Sequence, residues 1–206
     1  MELADVMRVT GSTRHFRPDP VPADLIFRVL DNARFAPSGA NRQPWHVIVV
    51  TDPQTRAQLA SLYRRSWYEL HAPLRQAPGE PVEPDYYSDH MDDVPVQLIV
   101  AAELAAFTTG LAALDGSRVV GGAAIYPFVQ NILLGLRDAD LGGTLSTVVV
   151  PVEDEVRKLL AIPDGYLVAA HIGVGWPARA FPTRLGRKPV REFATANRFD
   201  GLPLEA

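Results

Sequence analysis

Three segments of this chain carry polar side chains that a protein core does not need. The first is Arg8-Val9-Thr10-Gly11-Ser12-Thr13-Arg14-His15-Phe16. In a helix, Arg8 and Ser12 would lie one turn apart on one face. A guanidinium beside a hydroxyl suits a phosphate dianion, the guanidinium through its planar fork. An ordinary exposed helix end has the same composition, so this segment alone leaves both readings open. The second segment is Pro37-Ser38-Gly39-Ala40-Asn41-Arg42-Gln43-Pro44-Trp45-His46. Gly39 allows backbone to approach a ligand closely. Asn41 and Gln43 each offer a donor and an acceptor on one amide. That pattern matches a ring edge that alternates acceptor, donor and acceptor, as the edge of a flavin does. A polar turn before a strand would look the same. The third segment is Arg184-Leu185-Gly186-Arg187-Lys188-Pro189. Its cations can clamp a phosphate or form a solvated charge run.

Other patterns carry less. Gly173-Val174-Gly175-Trp176-Pro177-Ala178 fits the dinucleotide-binding pattern G-x-G-x-x-A, but that pattern requires a helix to open there. Pro177, followed by Arg179-Ala180-Phe181-Pro182, argues against such a helix. His15, His46, His71, His90 and His171 are scattered. His90 with Asp89, Asp92 and Asp93 can be drawn as a metal site, though a solvated acidic loop explains them better. His171 reads as a packed core residue in mid-strand. Walker, zincin and nucleophile-elbow motifs do not occur.

The elements that must position these segments follow from periodicity. Leu3, Val6 and Met7 share a helical face, and Gly11 ends that helix. Pro22 suits the first position of a second helix, in which Leu25, Ile26, Val29, Leu30 and Ala33 keep a 3.6 period. Trp45 to Val50 is a buried strand. Asp52-Pro53 caps a helix running towards Tyr68. Residues 72–93 hold Pro73, Pro78, Pro81 and Pro84, with charge added by Glu80, Glu83, Asp85 and Asp89, and read as an exposed excursion or lid. Val96 to Ala102 is a second strand. The stretch 105–116 is ambiguous. Val119 to Asp138 reads as a long interior helix that Pro127 should kink. Leu145 to Val150 and Leu167 to Val174 are further strands, with a short helix from Glu153 to Leu160 between them. The last thirty residues read as an arm over another surface. The order is that of an α/β chain with four or five strands, helices on both faces and an extended tail. Strands joined through helices are expected to pair parallel.

Bulk properties narrow the function. The 206 residues suit a single unit, 1–206, with residues 72–93 as a variable lid and 178–206 as a C-terminal arm. A net charge of −4 gives no sequence-wide basic field for nucleic acid. There are no cysteines, which excludes disulfides, thiolate catalysis and Fe–S clusters. The start Met1-Glu2-Leu3-Ala4-Asp5 has no signal-peptide pattern, and no apolar run reaches the ~18 residues of a membrane span. The cytoplasm is the expected location by default.

Taken in order, these residues resemble a known family. Ser12-Thr13-Arg14-His15-Phe16 and then Ala36-Pro37-Ser38-Gly39-Ala40-Asn41-Arg42-Gln43-Pro44-Trp45-His46 are similar to motifs of the nitroreductase family of flavin mononucleotide (FMN) enzymes. The similarity continues at Gln130-Asn131-Ile132-Leu133-Leu134, Leu141-Gly142-Gly143-Thr144, Leu160 to Tyr166, Ile172 to Pro177, Arg187-Lys188-Pro189 and Asn197-Arg198-Phe199. The resemblance implies an α+β, nitroreductase-like fold, with a sheet of four or five strands flanked by helices. It implies an intertwined homodimer with an extended C-terminal arm and two FMN molecules at the interface. Ser12 and Arg14 would come from one subunit, Arg14 meeting either the ribityl–phosphate end or the N1/O2 edge of the ring. Pro37, Ser38, Gly39, Asn41 and Gln43 would come from the other. Gly143, Thr144 and Leu145 would lie against the ring. Arg187, with Lys188, would close on the phosphate. Many members carry an arginine two residues before the serine; here that position is Thr10, so the role of Arg8 stays open. The implied activity is hydride transfer from NADH or NADPH, through flavin N5, to a small acceptor such as a nitroaromatic or quinone. No side chain is required as a proton donor, and neither nucleic acid nor membrane is an expected partner. The same fold also serves dehalogenation, flavin breakdown and biosynthetic dehydrogenation, and some relatives bind deazaflavin. A flavin-binding or storage protein without turnover would carry the same residues.

Overall fold

The computed structural model describes residues 1–75, 80–106 and 122–205. The ambiguous stretch from residue 107 onward, and the proposed helix start at Val119, lie outside the described residues.

Four strands form one sheet: β1 (Trp45–Val50), β2 (Val96–Glu103), β3 (Gly142–Ser146) and β4 (Tyr166–Gly175), in the order β1-β2-β4-β3. All three pairings are antiparallel, against the parallel expectation. The reason lies in the connection from β1 to β2. Helix α3 (Pro53–Ser66) leaves the end of β1, and residues 80–94 run back alongside it. Arg56, near the start of α3, donates to the carbonyls of Asp92 and Val94. Tyr68, beyond its end, bonds Asp85 and Asp89. Two antiparallel legs return the chain to the end of the sheet it left, so β2 must run opposite to β1. The proline-rich stretch is therefore packed in part: α4 (Tyr86–Asp89) and the turn after it bury Tyr87, Ser88 and Met91.

The sheet has an apolar layer on each side. Leu98 and Val100 of β2, with Ile172 and Val174 of β4, face α2 (Ala23–Ala33) and α5 (Tyr126–Asp138). Ile26, Val29 and Ala33 recur at the helical period on α2 and are buried there. Trp45 stacks on Phe128 of α5, with ring centroids 4.6 Å apart. On the other side, Ile99 and Ala101 face α3, α4 and α6 (Glu153–Leu159). Asp52 caps α3 by accepting from the Thr55 amide at 2.8 Å, and Pro53 occupies its first turn.

Three sequence expectations shift. Pro127 does not kink a helix, because α5 begins at Tyr126 and Pro127 sits in the first turn, where no amide donor is needed. Pro22 precedes α2 as its cap rather than opening it. The third strand is Gly142–Ser146 rather than Leu145–Val150, because Val150 turns back on the Thr147 carbonyl and Pro151 lacks an amide for a ladder. His171 does lie buried in mid-strand, and Gly173 to Gly175 continue β4 with no helix opening there.

Candidate functional site

Helix α1 (Leu3–Val9) stops before Ser12, so Arg8 and Ser12 do not share a helical face. Residues 12–17 instead run alongside the edge of the sheet. The Thr13 amide donates to the Gly143 carbonyl at 3.0 Å, and the Thr144 hydroxyl donates to the Thr13 carbonyl. Arg17 donates its amide to Trp176, and Phe16 bridges to Pro177. Gly142 explains the close approach, since a Cβ there would lie 2.5 Å from Thr13. Ser12 and Arg14 are thereby brought to β3.

Two cavities flank this junction, with Leu145 in the wall of both. A small one of about 70 Å³ is bordered by Ser12, Gly143, Leu145 and Arg137. A larger one of about 440 Å³ is bordered by Arg14, Thr144, Leu145, Ser146 and Thr147 on the sheet side. The Thr144 hydroxyl is taken up by Thr13, which leaves Thr147, exposed at the end of β3, as the free hydroxyl on this wall.

Helix α3 fixes that wall. The Tyr63 hydroxyl and the Ser146 hydroxyl lie 3.0 Å apart, and Ser146 also accepts the Val148 amide. Ser66, one turn on, donates to the Val148 carbonyl. Burial raises the Tyr63 phenol above its ordinary pKa, opposed by the Ser146 bond, so the phenol stays neutral. Burial raises Tyr87 further.

The opposite wall of the larger cavity was missed in the sequence. It is formed by Tyr63, Trp67, His71 and Arg75, with Asp85 and Tyr87 from the returning leg. A repeat of four residues was the available signal. In a regular α-helix a spacing of four overshoots each turn by about 40°. Here Trp67–His71 is a π-turn, in which the Ala72 amide reaches back to the Trp67 carbonyl at 2.8 Å. The wider turn absorbs the overshoot and holds the stripe on one face.

The amide-rich loop lies elsewhere. Pro37 to Gln43 precede β1, at the opposite edge of the sheet from β3. Three strand spacings separate the edges, roughly 14 Å. Ala40, Asn41 and Gln43 hold positive φ values of 52°, 53° and 50°. The Gln43 amide donates to Ser38, and its side chain donates to Asn41. A Cβ on Gly39 would meet nothing within 4 Å, so the loop surface there is open.

The tail adds the third group. Pro182 and Leu185 pack over Gly11, each 3.2 Å from where a Cβ would stand. This sets Leu185, two residues before Arg187, against the segment that holds Ser12. Among the described residues, neither Arg8, Arg14, Arg187 nor Lys188 has a carboxylate partner. A serine hydroxyl with unpaired guanidinium and ammonium groups fits a phosphate ester, and the exposed amides of Asn41 and Gln43 fit the edge of a polar ring.

One face of the chain thus offers cations, a hydroxyl and a 440 Å³ cavity, and the opposite sheet edge offers an amide loop. Known proteins resemble this chain along most of its length. A protein of Methanothermobacter thermautotrophicus, described as an NADH dehydrogenase/NAD(P)H nitroreductase, is 28% identical over 187 residues, covering 89% of this chain and 82% of its own. The 5,6-dimethylbenzimidazole synthase of Rhodospirillum rubrum is 26% identical, covering 82% of this chain and 79% of its own. An iodotyrosine deiodinase solved with FMN and 3-iodo-L-tyrosine shares the fold, with a TM-score of 0.76 at 24% identity, over 96% of this chain and all of that one. The Nitroreductase family model matches residues 8–176, which takes in the Arg14 segment, the amide loop and the whole sheet, and the chain belongs to the nitroreductase family.

Proposed function

We propose that the chain is an FMN-dependent oxidoreductase that takes hydride from NADH or NADPH and passes it to a small acceptor such as a nitroaromatic or a quinone. The observation that carries this reading is the placement of Arg14 and the end of β3 around one 440 Å³ cavity. FMN bound there would supply the ring that accepts hydride from a nicotinamide and returns it to an acceptor. Ser12, Arg187 and Lys188 would hold the phosphate. Arg14 would place positive charge beside the ring and favour its anionic reduced form. Gly143 and Leu145 would lie against the ring. Thr144 would act by holding Arg14 in place, since its hydroxyl is bonded to Thr13.

Asn41 and Gln43 precede β1, at the opposite edge of the sheet from β3, and neither borders the 440 Å³ cavity that Arg14 lines. We therefore assign them to the flavin site of a second copy, with the dimer as the working unit. The exposed apolar residues of the tail support this: Phe193, Phe199 and Leu202 are 68%, 102% and 80% exposed in the single chain.

The test is the visible spectrum of the purified protein, followed by anaerobic titration with NADH and NADPH. A two-band flavin spectrum that bleaches with nucleotide and recovers with a quinone is expected. A bound flavin that neither nucleotide reduces would sink the reductase reading and leave flavin storage.

A further inference from the structure

We propose that the physiological acceptor is a small aromatic anion, held by its carboxylate or equivalent oxyanion on the Trp67–His71–Arg75 stripe. This deepens the reductase reading and rests on it. Arg75 lines the large cavity with its guanidinium over the Trp67 ring, 5.4 Å from the centroid. No carboxylate pairs with Arg75 among the described residues. Among the described residues Asp85 is the one acid in the cavity wall, and one of its oxygens is engaged by the Ser88 amide and hydroxyl at 2.8 and 2.7 Å. With Arg14 also facing the cavity, cations outnumber acids there.

The hydrogen-bond inventory points the same way. Trp67 Nε1 and His71 Nε2 are buried and have no partner among the described residues. An indole nitrogen only donates, and the His71 nitrogen donates in one tautomer or when charged. The free Arg75 guanidinium matches a ligand group that only accepts, and the two orphan nitrogens lie buried on the same stripe. An oxyanion is such a group, and the planar fork of Arg75 can take both its oxygens. The Tyr63 and Trp67 rings on the same stripe supply the aromatic surface beside it. A neutral quinone or nitrobenzene can accept a hydrogen bond through its oxygens but brings no negative charge to balance the Arg75 guanidinium, which makes its hydrogen bond there the weaker one.

The experiment uses holoprotein and non-reducible probes, benzoate and its neutral isostere benzamide, titrated against the oxidised flavin spectrum. Benzoate is expected to bind at least about ten-fold more tightly than benzamide. Arg75→Gln should abolish that preference, and Arg75→Lys should restore part of it. The kcat/KM ratio of 4-nitrobenzoate to 4-nitrobenzamide should follow the same order. Equal binding of the two probes, or a preference that survives Arg75→Gln, overturns the proposal even where nucleotides bleach the flavin. A flavin that nucleotides fail to bleach overturns the reductase reading and with it the role of the anion as acceptor, while a benzoate preference lost in Arg75→Gln would still establish the anion site, since probe binding to the oxidised protein needs no turnover.

Discussion

Gln43 shows how binding and folding separate at a single residue. Its φ of 50° lies in the left-handed region, which a side chain with a Cβ enters at a cost of roughly 1–2 kcal/mol. Such strain persists where surrounding structure fixes it, and it concentrates at ligand-binding loops. Gln43→Gly should therefore leave the thermal midpoint unchanged or raise it, while FMN dissociates at least about ten-fold more readily for loss of the amide. A variant that loses stability and keeps its flavin would remove Gln43 from the site. His171 makes a different residue-scale argument. It is fully buried, both ring nitrogens lack partners among the described residues, and burial lowers its pKa to about 4 from 6.5. The unfolded chain then binds a proton more readily than the folded one between these values. Above pH 6.5 its burial adds no pH-dependent penalty, and stability is lost as pH falls towards 4. His171→Leu should remove this loss. Relative to the variant, the wild type should weaken by up to about 3 kcal/mol between pH 7 and pH 4 in denaturant titrations. Parallel curves would mean that a partner satisfies the imidazole.

At the scale of elements, α3 serves as the support of the cavity. Its hydroxyls at Tyr63 and Ser66 hold residues 146–148, and its π-turned extension carries the stripe that faces them. Ser66→Ala leaves the Val148 carbonyl without its donor, a loss of about 1–3 kcal/mol. We expect a lower thermal midpoint together with a perturbed flavin spectrum, because the wall moves with the bond. A stability loss with an unaltered spectrum would make Ser66 a purely structural residue. This support was only half legible in the sequence. Trp45 to Val50 and Val96 to Ala102 were legible as strands from their apolar runs, and Asp52-Pro53 announced the start of α3; Val96 to Ala102 is buried throughout, whereas β1 lies at the sheet edge with only Val50 buried. The π-turn was not legible, since nothing in Trp67 to His71 distinguishes it from a regular turn until tertiary contacts select it. The direction of the strands was hidden for a related reason. Periodicity marks elements but not the return leg through Tyr87 and Met91, which reads as a charged, proline-rich loop. The site segments were legible as residue types, and Thr13, between Ser12 and Arg14, bonds Gly143 and Thr144. The helical pairing of Arg8 with Ser12 was not met, because α1 ends at Val9.

At the scale of the whole molecule, the candidate site is split between opposite edges of one sheet. Arg14 stands at β3 and Asn41 stands before β1, with β2 and β4 between them. If the flavin takes its Arg14 contact from one chain and its Asn41 contact from another, it lies between two chains, and a two-fold dimer then holds two equivalent sites. Mixing variants tests this directly. Arg14→Ala damages one contribution and Asn41→Ala the other, so each homodimer has two damaged sites. In a mixed dimer, the Asn41→Ala chain supplies an intact Arg14 and the Arg14→Ala chain an intact Asn41, and both meet at the same site. The second site receives both damaged contributions. Random re-association of equal amounts makes half the dimers mixed, so about one site in four should regain tight FMN and nucleotide-driven bleaching. Flavin binding by the mixture that equals the average of the two homodimers would show that each site is built within a single chain. The amide loop would then have to be released from the flavin and given another ligand.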